Sequence, residues 1–170
     1  MIKHSERFAV MEMFEIEKVV KENDSNKTFY LKEFIDCVAG QFMMVWIPGI
    51  DEKPFSLMNF ENKSAINLEV KGKWSKIFFK MEKGEKIGLR GPFGKGFSFS
   101  GVKKACIVAG GVGVVPLLSL NEKLKKANIK TTFILGAKTK KRVLFVEKLK
   151  RNSDELIITT DDGSYGIKAL

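Results

Sequence analysis

Ala105-Cys106-Ile107-Val108-Ala109-Gly110-Gly111-Val112-Gly113-Val114-Val115-Pro116 is the stretch on which the fold turns. Five apolar or small residues that stop at glycine read as a buried strand, and apolar spacing over residues 114–127 reads as a helix. Pro116 falls in the first helical turn, where its missing N–H is not needed. A strand that passes through a glycine loop into a helix opens a βαβ unit. Glycines there let backbone approach a pyrophosphate, and the free N–H groups of a helix start favour the anion. Gly110, Gly111 and Gly113 are therefore candidate dinucleotide contacts. The run is not a full G-x-G-x-x-G, because Pro116 stands at or near the last glycine, and the same residues also satisfy a tight strand-to-helix turn.

Downstream the alternation continues. Thr131-Thr132-Phe133-Ile134-Leu135 is a second strand, residues 143–150 a second helix with Leu144, Phe145 and Leu149 on one face, and Glu155-Leu156-Ile157-Ile158-Thr159 a third strand. This β-α-β-α-β order is one mononucleotide-binding half of a parallel α/β sheet. The turn Thr160-Asp161-Asp162-Gly163-Ser164-Tyr165-Gly166 follows the third strand. Ligands of open α/β sheets gather at that carboxyl edge, so Thr160, Asp161 and Asp162 are candidates for holding ribose and amide groups. A plain acidic turn is the other reading.

Upstream the texture is different. Residues 8–20, 27–31, 41–47, 66–70 and 86–90 are short β-rich runs, with turn signals at Asn23-Asp24-Ser25-Asn26, Gly49-Ile50-Asp51 and Gly91-Pro92-Phe93-Gly94. With a proline-containing strand at Asp51-Glu52-Lys53-Pro54-Phe55-Ser56, about six strands in about 100 residues indicate a small closed antiparallel barrel, since closure removes exposed edges. Residues 74–81 suit a short helix. Domains are expected at 1–100 and 101–170.

Charge and rare residues narrow the chemistry. The 170 residues carry a formal charge of +10, with 44% hydrophobic content. Residues 1–100 hold 16 basic and 14 acidic side chains, and residues 101–170 hold 14 and 6, so the excess belongs to the second part. A nucleic-acid module would use that excess, yet the second part offers few aromatic side chains for base stacking. No window approaches the ~18 apolar residues of a membrane span, and the charged start lacks a signal-peptide core, so a cytoplasmic protein is expected. His4 is the sole histidine, which excludes Ser-His-Asp, Cys-His and multi-His zinc chemistry. Cys37 and Cys106 form no C-x-x-C and are expected to be buried thiols. An enzyme of this composition needs an organic cofactor.

Two stretches of the first part could meet one. Lys53, Pro54, Phe55 and Ser56 place a cation, a flat ring and a hydroxyl together. On an extended strand Lys53 and Phe55 share a face and Ser56 takes the other. The cation can meet a phosphate, the ring can pack on an aromatic system, and the hydroxyl can bond a ring nitrogen. A proline-bearing edge strand explains the same residues without a ligand. Gly72-Lys73-Trp74-Ser75 could present helix-start N–H groups and the Ser75 hydroxyl to a second phosphate.

In this order, the motifs resemble the ferredoxin–NADP reductase superfamily over essentially the whole chain. Gly40-Gln41-Phe42, Lys53-Pro54-Phe55-Ser56, Gly72-Lys73-Trp74-Ser75, Gly91-Pro92-Phe93-Gly94, the glycine loop, Gly136-Ala137-Lys138 and the acidic turn each match a landmark. Within it, residues 41–56 look most like the electron-transfer subunits of dihydroorotate dehydrogenase, of archaeal type. The resemblance implies FAD held by Lys53, Pro54, Phe55, Ser56, Asn67, Leu68, Glu69, Trp74 and Ser75, with Phe55 and Ser56 as the catalytic positions. It implies NAD(H) across Gly110, Gly111, Gly113, Thr160, Asp161 and Asp162. NADP(H) stays open because Lys138, Lys140, Lys141 and Arg142 could attract a 2′-phosphate. Lys53 stands where many relatives carry Arg, and Glu69 where a basic residue is common.

The implied activity is electron transfer from NADH through flavin to an iron–sulfur centre and a partner, the catalytic dihydroorotate dehydrogenase subunit of pyrimidine biosynthesis, in a hetero-oligomer. Alternatives are another ferredoxin–NAD(P) reductase-like or hydrogenase-linked reductase subunit, or a non-catalytic assembly subunit that keeps the fold. Relatives of this kind continue past the acidic turn and carry four cysteines for a [2Fe–2S] cluster. This sequence supplies no such ligand set, so a partial nucleotide-binding domain is expected.

Overall fold

A computed structural model describes residues 10–169. The chain divides into two units, the first ending at Gly96 and the second beginning at Phe97.

Alternating inward and outward side chains build the first unit from six strands, β1 (Glu12–Lys21), β2 (Asn26–Leu31), β3 (Phe42–Ile47), β4 (Asp51–Phe60), β5 (Lys63–Glu69) and β6 (Lys86–Phe93). They close into an antiparallel barrel in the order β1-β2-β5-β4-β3-β6. Ile16, Phe29, Val45, Ile66, Ile87 and Leu89 fill its interior. Helix α1 (Lys73–Phe78) adds Trp74 and Phe78 to that core, with Phe78 stacked on Phe29 at 4.6 Å between ring centroids. The helix is shorter than expected because Lys80 and Met81 donate three residues back, to Ile77 and Phe78, and tighten the chain out of α geometry. The Gly91-Pro92-Phe93 turn signal falls inside β6, where Phe93 is in register with Phe42.

The second unit is a parallel sheet of β7 (Lys104–Gly110), β8 (Lys130–Ala137), β9 (Glu155–Thr160) and β10 (Ile167–Lys168), in the order β10-β9-β8-β7. Three strands were legible in the sequence. The fourth is two residues long, too short to carry a periodic signal. Helices α2 (Val114–Lys126) and α3 (Val146–Asn152) pack together, α2 against β7 and β8 and α3 against β9. The expected helix over 143–150 starts late because Phe145 takes φ +59, outside the right-handed helical region; Leu144 and Leu149 are buried as expected.

Along β7, Ile107 and Ala109 are buried while Cys106 and Val108 are exposed, Val108 by 67%. Cys37 is a buried thiol, but the expectation for Cys106 is corrected: it lies on the alternate face of β7, where Val108 is exposed as well. His4 lies outside the described residues. Among them, no helix is long and apolar enough to cross a membrane.

Candidate functional site

In the first unit, the ladders of β4 and β5 leave a gap. Residues 51–56 of β4 pair only with β3, while 57–60 pair with β5. On β5, Asn67, Leu68 and Glu69 pair only with β2, opposite Thr28, Lys27 and Asn26. The two strands part beyond the Leu57–Ile66 pair and leave facing backbone edges outside any ladder. Unladdered edge explains how Pro54 sits within a barrel, because its missing N–H is not called on from the β5 side. It also provides backbone donors and acceptors for a ligand.

Lys53, Phe55 and Ser56 all lie on the stretch of β4 that borders that gap. Lys53 and Phe55 are in register with Val45 and Met43, and Ser56 with Phe42, so the first two share one face and the hydroxyl takes the other. Phe55 is half-buried and backed by Trp74 at 5.4 Å between centroids, with Phe78 edge-on at 6.3 Å. Trp74 is fixed in turn by its Nε1–H, which donates to the Asp51 carbonyl at 2.9 Å. Lys53 lies 2.5 Å from the Asp51 carboxylate, and this bond, with the Glu52 N–H, holds that carboxyl below its ordinary pKa. Both partners are about half exposed, so the pair is weak and an incoming phosphate can compete for the ammonium. The Ser56 hydroxyl has no hydrogen bond among the described residues.

Other candidates support the gap through side chains already engaged. The Asn67 amide donates to Thr28 Oγ1 at 3.0 Å and accepts from Asn26 at 3.4 Å, and Thr28 donates to Glu22 at 2.6 Å. Leu68 lies in the barrel core. Ser75 Oγ accepts the Lys71 and Gly72 N–H groups at 2.8 and 2.9 Å and lies within bonding distance of the Gly72 carbonyl, which ties down the loop before α1. Glu69 is paired with Lys71 at 2.9 Å. For Asn67, Leu68 and Glu69 the backbone edge toward β4 is what stays outside any ladder. Arg90 was missed by sequence reasoning: it pairs with Glu52 at 2.5 Å across β3 and lies 5.1 Å from the Phe93 ring, bracing the strand before Lys53. Opposite charges on strands flanking a third were the available signal.

In the second unit, one turn of 3-10 helix, Gly111–Gly113, leads from β7 into α2. A Cβ built on Gly110, Gly111 or Gly113 meets nothing within 4 Å among the described residues. Gly110 and Gly113 also have ordinary backbone angles; only Gly111, at φ +51, is left-handed. The chain's own packing therefore does not require glycine at 110 or 113, and the loop is an open cradle beside a helix start. Gly110, Gly136 and Thr159 form one row across the sheet near its carboxyl edge.

The acidic turn sits at the same edge. Thr160 is buried, and its hydroxyl donates to the Tyr165 carbonyl at 2.9 Å and accepts the Tyr165 N–H at 3.1 Å, so it braces the turn from inside. Asp162 accepts the Ser164 hydroxyl at 2.6 Å and its N–H at 3.0 Å, which lowers the Asp162 pKa. Ser164 Oγ accepts the Lys140 N–H at 2.8 Å. Asp161 is exposed and anchored through its N–H to Ala137. No group of three or more His, Cys, Asp or Glu side chains able to hold a metal occurs among the described residues.

No family model matches the chain. It is 39% identical over 155 residues, 91% of its length, to the protein of Methanocaldococcus jannaschii named "Probable dihydroorotate dehydrogenase B (NAD(+)), electron transfer subunit", and 38% identical over 165 residues, 96% of its length, to that of Pyrococcus furiosus. It superposes on the NADH-dependent reduced ferredoxin–NADP oxidoreductase with a TM-score of 0.82 at 27% identity, over 92% of this chain and 59% of that one. The chain carries the ferredoxin–NADP reductase fold.

The resemblance read from the motifs is thus borne out, both to this superfamily and to the dihydroorotate dehydrogenase subunit within it. A ferredoxin NADP+ reductase from Neisseria gonorrhoeae with bound FAD and NADP shares the ferredoxin–NADP reductase fold at 20% identity and a TM-score of 0.78, covering 93% of this chain and 72% of that one. The chain spans 58% and 62% of the length of the two curated relatives. The residues around the gap, a ring face, a hydroxyl with no hydrogen bond among the described residues, a cation and unladdered backbone, are of the kinds that a flat aromatic cofactor with a phosphate-bearing tail would need. The [2Fe–2S] cluster implied by the resemblance finds no ligand set among the described residues, and no step is assigned to it.

Proposed function

We propose that the chain is the flavin-binding and NADH-oxidising part of an electron-transfer subunit that serves dihydroorotate dehydrogenase. The observation that supports this reading is the parting of β4 from β5 beyond the Leu57–Ile66 pair, which leaves the backbone of residues 53–56 and of residues 67–69 without a shared ladder. FAD, when bound, supplies acceptance of a hydride and release of electrons one at a time. The protein's part is positional. Lys53 meets the phosphate as a point charge, with less directional grip than an arginine fork. Phe55, backed by Trp74, supports the ring system, and the Ser56 hydroxyl donates to a ring nitrogen. Gly110, Gly111 and Gly113 take the pyrophosphate of the dinucleotide, with Asp161 at its ribose or amide end. No side chain serves as a general acid or base, in keeping with a chain whose one histidine is His4.

NADH is the favoured reductant because the curated relatives are named for NAD(+) and the structural neighbour is NADH-dependent. The partner in this reading is the catalytic dihydroorotate dehydrogenase subunit, in a hetero-oligomer. The test is spectroscopic. The purified chain, reconstituted with FAD, should give a bound-flavin double band that bleaches on anaerobic addition of NADH. A protein that takes up no FAD overturns the cofactor assignment, and bound flavin that NADH does not bleach points instead to a non-catalytic assembly role.

A further inference from the structure

The first unit carries a second concavity that the flavin reading does not use. A groove of about 800 Å³ opens between the end of β3 and the α1 segment. Its floor is aliphatic, from Ile47, Ile77 and Met81, with Pro48 beside it. Its rim carries Lys73, Lys76, Lys80 and Lys86. None of Lys53–Ser56, residues 67–69, Trp74 or Ser75 lines it.

The charge is local. Residues 71–86 contain six Lys and two Glu, although residues 1–100 as a whole are nearly balanced. None of the four rim lysines makes an ion pair among the described residues. Glu85, the one acid in the lining among the described residues, has its carboxylate engaged by the Glu82 N–H at 2.6 Å. Four like charges around one opening repel each other, and an incoming acidic group relieves that repulsion.

The kind of anion follows from what the groove lacks. Among the described residues no aromatic ring lines it, so they offer no platform for stacking a base. Its cations are flexible ammonium groups without an arginine fork, a geometry poorly suited to fixing one phosphate. An aliphatic floor under a lysine rim instead complements a polypeptide that presents acidic side chains around one or two aliphatic ones. We propose that this groove docks an acidic, aliphatic-bearing segment of a partner protein.

The test uses the full chain and a fluorescein-labelled synthetic peptide of repeating glutamate and leucine, followed by fluorescence anisotropy. Saturable binding is expected, weakening about tenfold between about 0.05 and about 0.3 M salt. The double variant Lys76→Glu/Lys80→Glu should weaken it at least about tenfold, and Lys76→Gln/Lys80→Gln by less, both with unchanged melting temperature. Lys123→Glu/Lys130→Glu makes the same change in net charge in the second unit and should leave binding intact. The proposal is overturned if the wild-type chain does not bind the peptide, or if both charge reversals weaken binding equally. It is also overturned if the same peptide with lysine for glutamate binds as well, or if oligothymidylate or inorganic pyrophosphate competes on a par with the acidic peptide.

Discussion

Replacing Gly110 by Val separates a ligand cradle from a mere turn. At φ −117 and ψ 127 the residue is in the extended region that valine favours, and a Cβ there meets nothing within 4 Å. The Cβ itself therefore costs folding nothing, and restricting the unfolded chain should stabilise the protein by about 0.4–1 kcal/mol. Binding has the opposite expectation. If the loop N–H groups hold a pyrophosphate at close range, the new methyl groups stand where the anion must come. Loss of one charge-assisted hydrogen bond, worth about 1.5–3 kcal/mol, weakens the dinucleotide about 10- to 150-fold.

Gly113→Ala makes the same test in helical geometry, at φ −60 and ψ −13. Gly166→Ala is the contrasting case. Its φ of +68 and its approach to the Ile158 carbonyl leave no room for a Cβ, so it should lower the melting temperature outright. Thermal unfolding without ligand, paired with calorimetric titration of NADH, reads both quantities. A Gly110→Val protein that is equally or more stable and binds NADH as wild type does would refute the cradle and leave only a strand-to-helix turn. A protein that melts early would refute the premise that the space is open.

Three further outcomes follow from the same geometry. Trp74→Ala should destabilise the barrel by about 3–5 kcal/mol in urea unfolding, whereas Trp74→Phe keeps the ring against Phe55 and loses only the bond to the Asp51 carbonyl, about 0.5–1.5 kcal/mol; equal losses would mean that ring packing is not what holds Phe55. Ser56→Ala should slow flavin reduction by NADH about 3- to 10-fold in stopped-flow while FAD affinity holds, and an unchanged rate removes the role given to the hydroxyl. Asp154 accepts the Thr131 N–H at 2.7 Å, which together with Lys125 and Lys130 lowers its pKa. Its folded value lies below its unfolded one, so its contribution is complete above the ordinary carboxylate pKa and is lost as pH falls through the folded value. Asp154→Asn should flatten the acid limb of the stability profile, and an unaltered limb would count against that bond.

What the sequence could and could not convey divides along one physical line. Periodicity reports which face of a segment is buried, and it was enough for the barrel, the alternation of strands and helices in the second unit and the face shared by Lys53 and Phe55. It does not report whether a polar side chain is already engaged. Asn67, Ser75 and Thr160 have the right chemistry to meet a cofactor, yet their side chains complete hydrogen bonds with Thr28, with the loop before α1 and with Tyr165. Ser56 is set apart from them only by where β4 leaves its neighbour. A proline is an ambiguous sign for the same reason. Pro54 read as an edge residue, and the edge is real, but it is the lip of an opening within a closed barrel rather than the margin of a sheet. Phe145 and Cys106 failed differently, the first because a left-handed residue at a helix start leaves no trace in apolar spacing, the second because alternation cannot say whether the other face of a strand is covered. In this chain, then, an exposed or unengaged group standing where the pattern predicts a covered or satisfied one is the more informative sign of a site than the motif alone. The open glycines, the Ser56 hydroxyl and the lysines around Ile77, none of which has a partner among the described residues, are three such places.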